Sequence, residues 1–530
     1  MRIHHSLNGS PCGLFQTSSL AAAMVFLTGC TVGPDYVSPD ISLNTLKLGS
    51  SSHYSQTYRV SDEAISKQWW SLFNDPILSD LEERALNANF DLQLMASRIA
   101  ESRANLGITT ADFQPTVSAS GSYVREDISD NGKFAALGAK PSGNNYWQTG
   151  FDASWEVDLW GHIQRAQEGA SAQLEATILN REAFKVTLMA EVASDYLRFR
   201  GIQAQIRIAK ENKQIAEKKL ALVKSRVING FATNYEIAMA KAQLASISAM
   251  IPSLNAQRDA QMNKLALLLG ELPNAMEKQL IQDTPLPAMP KEIPIGVPAQ
   301  LAQKRPDVLS AEAQLHQATA EIGVAESNFY PRITLVGSAG FEAFESSDID
   351  SWGSGFFSVG PAIYLPIFQG GKLKQRLKLT EEKQKSAALV YRKTLLNAWH
   401  EVDNALDDLA SQRTHHNYTE QAYHDYKRAL HFAQRHYQEG AGSYLEVLTA
   451  QQQVLSSQIA LNDSATKATI SLVTLYKALG GGWDLSNPSQ IVTEANTTTS
   501  MDEAHSKSAS EYVPLNITQP TTSYGVTDEN

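Results

Sequence analysis

The 530-residue chain holds only two cysteines, Cys12 and Cys30. That excludes a disulfide framework and any cysteine-based zinc site. Basic residues are outnumbered, 45 Lys+Arg against 56 Asp+Glu, for a formal net charge of −11. A chain of this balance lacks the basic stripe that nucleic-acid phosphates require, so no nucleic-acid partner is expected. No unbroken apolar run approaches the roughly 18 residues of a membrane-spanning helix. Proline is missing from Ser142 to Ile251 and again from Ile367 to Asn487, and glycine from Lys372 to Glu439. Without either breaker, those stretches are free to form very long helices.

Motifs of catalysis are also missing. Gly370-Gly371-Lys372 lacks the upstream glycine and following hydroxyl of a phosphate-binding loop, and no G-x-S-x-G occurs. His400-Glu401 invites a zinc-protease reading, but Asn404 stands where the second ligand belongs. His415, His416, His424, His431 and His436 gather in one helical region, where solvated histidines are far commoner than ligands. An enzyme is not expected, nor a metal or other cofactor.

What is present begins at the N-terminus. The apolar block Leu20–Leu27 has the length of a signal-peptide core and runs into Leu27-Thr28-Gly29-Cys30. Small residues before a cysteine resemble a bacterial lipobox, which implies cleavage before Cys30 and a covalent lipid on its thiol. Thr31, rather than an aspartate, then favours sorting to the outer membrane. Several acyl chains at about 0.8 kcal/mol per buried CH2 hold a protein firmly to a bilayer.

The remainder reads as a duplication. Asn229–Glu236 aligns with Glu439–Glu446 at an offset of 210, as do Leu269-Gly270 with Leu479-Gly480. Phe113-Gln-Pro115 matches Phe329-Tyr-Pro331 at an offset of 216. Each copy runs from a short helical stretch through two strand-like runs to a long helical run. In the strand-like runs Phe357, Val359, Pro361, Ile363, Leu365 and Ile367 alternate with Ser358, Gly360, Ala362 and Tyr364. Phe151, Ala153, Trp155 and Val157 likewise alternate with Asp152, Ser154, Glu156 and Asp158. This is the pattern of a membrane barrel strand and equally of a half-buried soluble strand. Four strands cannot close a barrel, which needs about eight, so they form a small sheet or a share of an oligomeric barrel.

In the helical runs Leu395, Trp399, Val402, Leu406 and Leu409 follow heptad spacing, as do Ile237, Ala240, Leu244, Ile247, Ile251 and Leu254. A helix over 161–229 would be about 100 Å long, against about 11–12 residues for an average helix. Gly230, Gly440 and Gly442 mark reversals, making each copy a long antiparallel hairpin that must pack against other hairpins.

Domain bounds follow: a signal peptide over 1–29, an acylated segment and first helical stretch over 30–112, and a strand pair over 113–158. A hairpin over 159–270 leads to a proline-rich surface connector over 271–306. The second copy holds a helix over 307–330, a strand pair over 331–368 and a hairpin over 369–482. A polar tail over 483–530 has the composition of a disordered segment.

Cys30–Tyr36, Trp69-Trp70 with Phe73–Leu78, Ala85–Asn89, and above all Lys304–Val308 continuing through Ala311-Glu312 and Ile322–Ala325 to Phe329–Pro331, resemble the TolC-type outer-membrane factors. The match is to their lipoprotein branch and runs from about Cys30 to Trp483. The resemblance implies a mainly α fold with a small β part. In it a homotrimer pools four strands per chain into a twelve-stranded barrel in the outer-membrane lipid, above a tunnel of helical hairpins. It implies a passive exit duct for small molecules expelled by an inner-membrane pump through a periplasmic adaptor. Loops at Asp127–Asn145 and Phe341–Trp352 would face outside. Gly230, Thr233, Asn234, Gly440, Gly442 and Ser443 would form the tips that meet adaptor or pump. Glu236 and Glu446 would ring the periplasmic aperture, while Thr449 stands where a further acidic residue is usual. The alternatives are a duct for secreted proteins and a non-conducting coiled-coil stalk.

Overall fold

A computed structural model describes residues 31–39, 59–61, 65–127, 129, 131, 137–138, 143–290, 292–295 and 304–483. Cys30, the signal segment and the C-terminal tail lie outside the described residues.

Helix α1 (Pro76–Ala88) opens on Pro76 at its first position, with the Asp75 carboxylate accepting the Ile77 and Leu78 amides. Helix α2 (Phe90–Ala111) follows, then strands β2 (Thr116–Glu126) and β3 (Asn144–Val157). The short β1 (Arg59–Ser61) precedes them all. Helix α3 (His162–Ile228) runs 67 residues without a break. Helix α4 (Asn234–Leu268) returns beside it over 35 residues. After α5 (Glu277–Leu280) and β4 (Glu292–Pro294), the plan repeats as α6 (Pro306–Ser327), β5 (Arg332–Ala343), β6 (Gly355–Tyr364), α7 (Lys372–Gln438) and α8 (Tyr444–Ala478).

The duplication is exact to the residue in the helices. α2 and α6 have the same length at an offset of 216, while α3 and α7, and α4 and α8, correspond at 210. The six-residue difference falls wholly within the strand segments. β6 stops at Tyr364, so Leu365 and Ile367, expected in the alternating run, lie beyond it. Asn144 and Asn145 belong to β3 and Phe341 to β5, so the loops are shorter than expected.

The main core forms a belt at mid-height. Trp69, Trp70 and Phe73 pack there with Leu78 and Leu81 of α1, Met189, Tyr196 and Phe199 of α3, and Leu265, Leu472 and Tyr476 from the ends of the returning helices. Trp69 stacks on Tyr476 with ring centroids 5.3 Å apart. Arg200 is fully buried because each bond it makes is local: to the Tyr196 hydroxyl, to Gln203 and to the Gln282 carbonyl.

The proline-rich connector is a correction to the surface link expected from sequence. Met276, Leu280, Ile293 and Ile295 are buried in the belt, and β4 pairs in parallel with β1. Proline removes an amide donor but leaves the residues between prolines free to turn inward. A second departure is Pro252, which sits inside α4 and leaves the Ser248 carbonyl without its helical donor. Among the described residues α4 is also the one helix apolar and long enough to cross a membrane by length and composition. Its apolar stripe is used otherwise: Ile247 packs with Ile208 and Ala216, and Leu254 with Ile206 and Ala209, all on α3.

Candidate functional site: the strand faces and the hairpin tips

The four main strands pair in the order β2-β3-β5-β6, all antiparallel. Residues directly opposite one another share a face, so the register sorts every side chain. One face carries Val117, Phe151, Trp155, Leu335, Phe357, Val359 and Ile363, all exposed, Phe357 by 84 %. The other is mostly hydroxylated or charged: Ser118 opposite Asp152 opposite Ser338 opposite Ser358, with Glu156 opposite Thr334. Hydrogen bonds run along the polar face, from Ser120 to Asp152 at 3.2 Å and between Ser338 and Ser358 at 2.8 Å. Aromatics stand toward both ends of the apolar face: Tyr123 packs on Trp147 at 4.3 Å, and the Trp155 indole donates to the Phe113 carbonyl at 2.9 Å. Such a sheet, apolar outward over its whole height with aromatic ends, suits lipid on one side and water on the other. Within the chain the outer edges of β2 and β6 have no strand partner. In a membrane those ladder groups must be satisfied by another strand.

The tips lie at the far ends of the hairpins. After α3, Gly230 takes φ 77° and donates its amide to Val227, while the Phe231 amide reaches Arg226. Gly440, also at φ 77°, and Ala441 repeat the same two bonds to Tyr437 and His436. This crossed pair closes a helix where only glycine enters the left-handed region cheaply. Two residues later a hydroxyl opens the return helix. Thr233 accepts the Glu236 amide at 3.4 Å, and the Glu236 carboxylate accepts the Thr233 amide at 3.1 Å. Ser443 accepts the Glu446 amide at 3.2 Å and its hydroxyl donates to Glu446 at 3.3 Å. Asn234 begins α4, and Gly442 lies in the second turn against His436.

The two carboxylates singled out from sequence thus each have a local task, holding the first turn of a return helix. Glu236 is half-buried and Glu446 exposed. Among the described residues no group of three or more His, Cys, Asp or Glu forms a metal set, and the His415–His436 region is no exception.

Contacts between the hairpins were not legible in the sequence. Val223 of α3 is buried with Tyr444 and Leu448 of α8, flanked by Ile237, Met239 and Tyr437. The Arg226 guanidinium lies over the Tyr437 ring, 4.6 Å from its centroid, and Tyr437 packs on Tyr444 at 5.6 Å. Lys219 donates to the Gln451 side chain. Burial pushes both phenols up; the Glu236 carboxylate raises them further, and Arg226 opposes this at Tyr437. Burial also pushes the Lys219 ammonium down. The only sequence signal was that Arg226 and Tyr437 each fall one turn before a reversal, on helices whose pairing the chain does not announce.

Residues 81–271 and 297–481 match the family described as Outer membrane efflux protein. The pyoverdine export outer membrane protein OpmQ of Pseudomonas aeruginosa is 30% identical over 80% of this chain and 89% of its own. The solvent efflux pump outer membrane protein SrpC of Pseudomonas putida is 31% identical over 88% of this chain and 98% of its own. The probable outer membrane lipoprotein SilC of Salmonella typhimurium is 30% identical over 89% of this chain and 100% of its own. Among solved structures, the outer-membrane channel OprN superposes with a TM-score of 0.80 at 30% identity, over 86% of this chain and 100% of that one. The Campylobacter jejuni channel CmeC gives 0.79 at 25% identity, over 88% and 98%. With its hairpins, its two-faced sheet and a match across both copies, this chain belongs to the outer membrane efflux protein family.

Proposed function

We propose that the protein is the outer-membrane exit duct of a tripartite efflux system of the resistance-nodulation-division type, acting as a homotrimer. The sheet carries this reading, with one apolar face, one polar face and two edges left open within the chain. Three copies pairing β6 of one chain with β2 of the next close a twelve-stranded barrel, apolar rows to lipid and polar rows to the channel. A stalk has no use for such a sheet. Six hairpins then enclose the periplasmic tunnel, and lipid on Cys30 adds an anchor to the outer membrane.

The pump supplies the energy and most of the selectivity. Relatives named for solvent efflux and pyoverdine export support small-molecule cargo here. The tips around Gly230, Thr233, Asn234, Gly440, Gly442 and Ser443 meet the adaptor or pump. Glu236 and Glu446, each with a carboxylate oxygen left over from its capping bond, ring the aperture and draw cations at low salt.

Purified full-length protein inserted in a planar bilayer tests the duct: stepwise conductance from a trimer supports it, and silence of both the native protein and Arg226→Ala, which loosens the tip, overturns it. Opening is an iris-like shift between hairpins. Val223→Cys with Leu448→Cys, neighbours across the two hairpins, abolishes export when oxidised and restores it on reduction. Undiminished export by the oxidised form refutes the shift. The mass of the mature N-terminus checks Cys30.

A further inference from the structure

Where the sheet meets the helices, a cavity of about 450 Å³ opens on the polar side. Arg332 begins β5 and lies directly opposite Tyr364, the last residue of β6. Both belong to the row of Ser338 and Ser358, opposite in face to Val359 and Ile363. Lys372 and Arg376, one turn apart at the start of α7, and His162, first residue of α3, complete the lining with Asn328.

No carboxylate lines this cavity, and among the described residues neither Arg332, Lys372 nor Arg376 has an ion-pair partner. Arg332 donates to the neutral Asn328 side chain at 2.8 Å. Cations nearby on the same helices are compensated, Lys383 by Glu321 at 3.5 Å and Arg165 by Glu168 at 2.8 Å. The helix starts add to the imbalance: neither α3 nor α7 has a side-chain cap or an acidic residue in its first turn. Their free amides and dipoles favour negative charge. Glu156 and Asp158, at the end of β3, act on His162 but stay outside the lining, and Asp158 is held by the Gln164 amide at 2.9 Å. Burial, with the Arg332 charge, pushes the His162 imidazole down, leaving it neutral and able to hydrogen-bond.

We infer that this cavity is a luminal binding station for anionic solutes, taking a carboxylate or phosphate group between Arg332, Lys372 and Arg376. It rests on the duct reading, and in a trimer three such stations form a basic ring at the base of the barrel. Cargo then meets opposite signs in turn, acidic tips at entry and a basic ring before exit.

Citrate is the probe, titrated by calorimetry into full-length protein in zwitterionic phosphatidylcholine nanodiscs. Binding that weakens with salt is expected, with a loss of roughly tenfold or more in Arg332→Gln/Lys372→Gln and near-native binding in Arg376→Lys. Absence of binding, or equal binding by the neutralised variant, overturns the station. So does a result in which citrate fails while the variant loses co-purifying phosphatidylglycerol, because the cations would then serve a lipid headgroup. Conductance of the same samples without citrate keeps the two readings apart: a pore that conducts but ignores citrate refutes the station alone, and a protein that does not conduct refutes the duct.

Discussion

At the residue scale, buried polar groups and close contacts make the sharpest demands. Glu82 of α1 is fully buried in the belt, and burial raises its carboxyl well above the ordinary range. A raised acid is protonated in both states at low pH, so folding loses stability as pH climbs through the ordinary carboxylate value toward the folded one. Glu82→Gln should therefore melt with the native protein near pH 4 and above it at neutral pH. Parallel melting curves across that range count against a neutral Glu82. Gly201 makes the opposite kind of demand. A Cβ there falls 2.5 Å from the Thr466 hydroxyl, where α8 crosses α3, and Asn462 donates to the Gly201 carbonyl at 2.9 Å. Gly201→Ala should cost about 1–3 kcal/mol through overpacking, read as a lower melting temperature. The close approach cannot be foreseen from one glycine in a helical run, because its cause lies some 260 residues away in the chain.

At the element scale the duplication explains itself through ends rather than middles. Four helices finish on the same crossed bonds, at Gly230, Gly270, Gly440 and Gly480, and return helices open on Thr233 or Ser443. These local signals were readable because capping involves only residues a few positions apart. Thr233→Ala should lower the stability of the first tip by about 1 kcal/mol, seen as faster amide exchange in the first turn of α4 with the belt unchanged. Equal protection in both proteins would mean that the cap does not limit tip opening. The buried connector was not readable: its prolines announce irregular backbone, and only the docking of Ile293 and Ile295 into the belt makes it core. Pro252 was hidden for the converse reason, since packing against α3 keeps α4 helical past a residue that alone would break it.

At the scale of the whole molecule, function follows from two surfaces that the chain leaves open, the strand edges and the hairpin flanks. The faces can be tested directly. Val359→Arg places a charge among the lipid-facing rows and should cost about 2–4 kcal/mol near the midplane, read as lost assembly in the membrane. Ser358→Arg, one residue away on the polar face, should assemble normally and alter conductance instead. If both assemble equally well, the sheet does not divide lipid from water.

The sequence by itself determined the long helices, the reversals, the alternation of the strands and the two copies, because each depends on a local period or on neighbouring residues. The missing membrane helix was as legible, yet its meaning was not, since strands too few to close leave both a soluble sheet and a shared barrel open. Only tertiary structure decided which residues meet: Arg226 over Tyr437, Gly201 against Thr466, and three unpaired cations around one cavity. Those contacts join segments far apart in the chain, and their energies exist only once the copies are packed together.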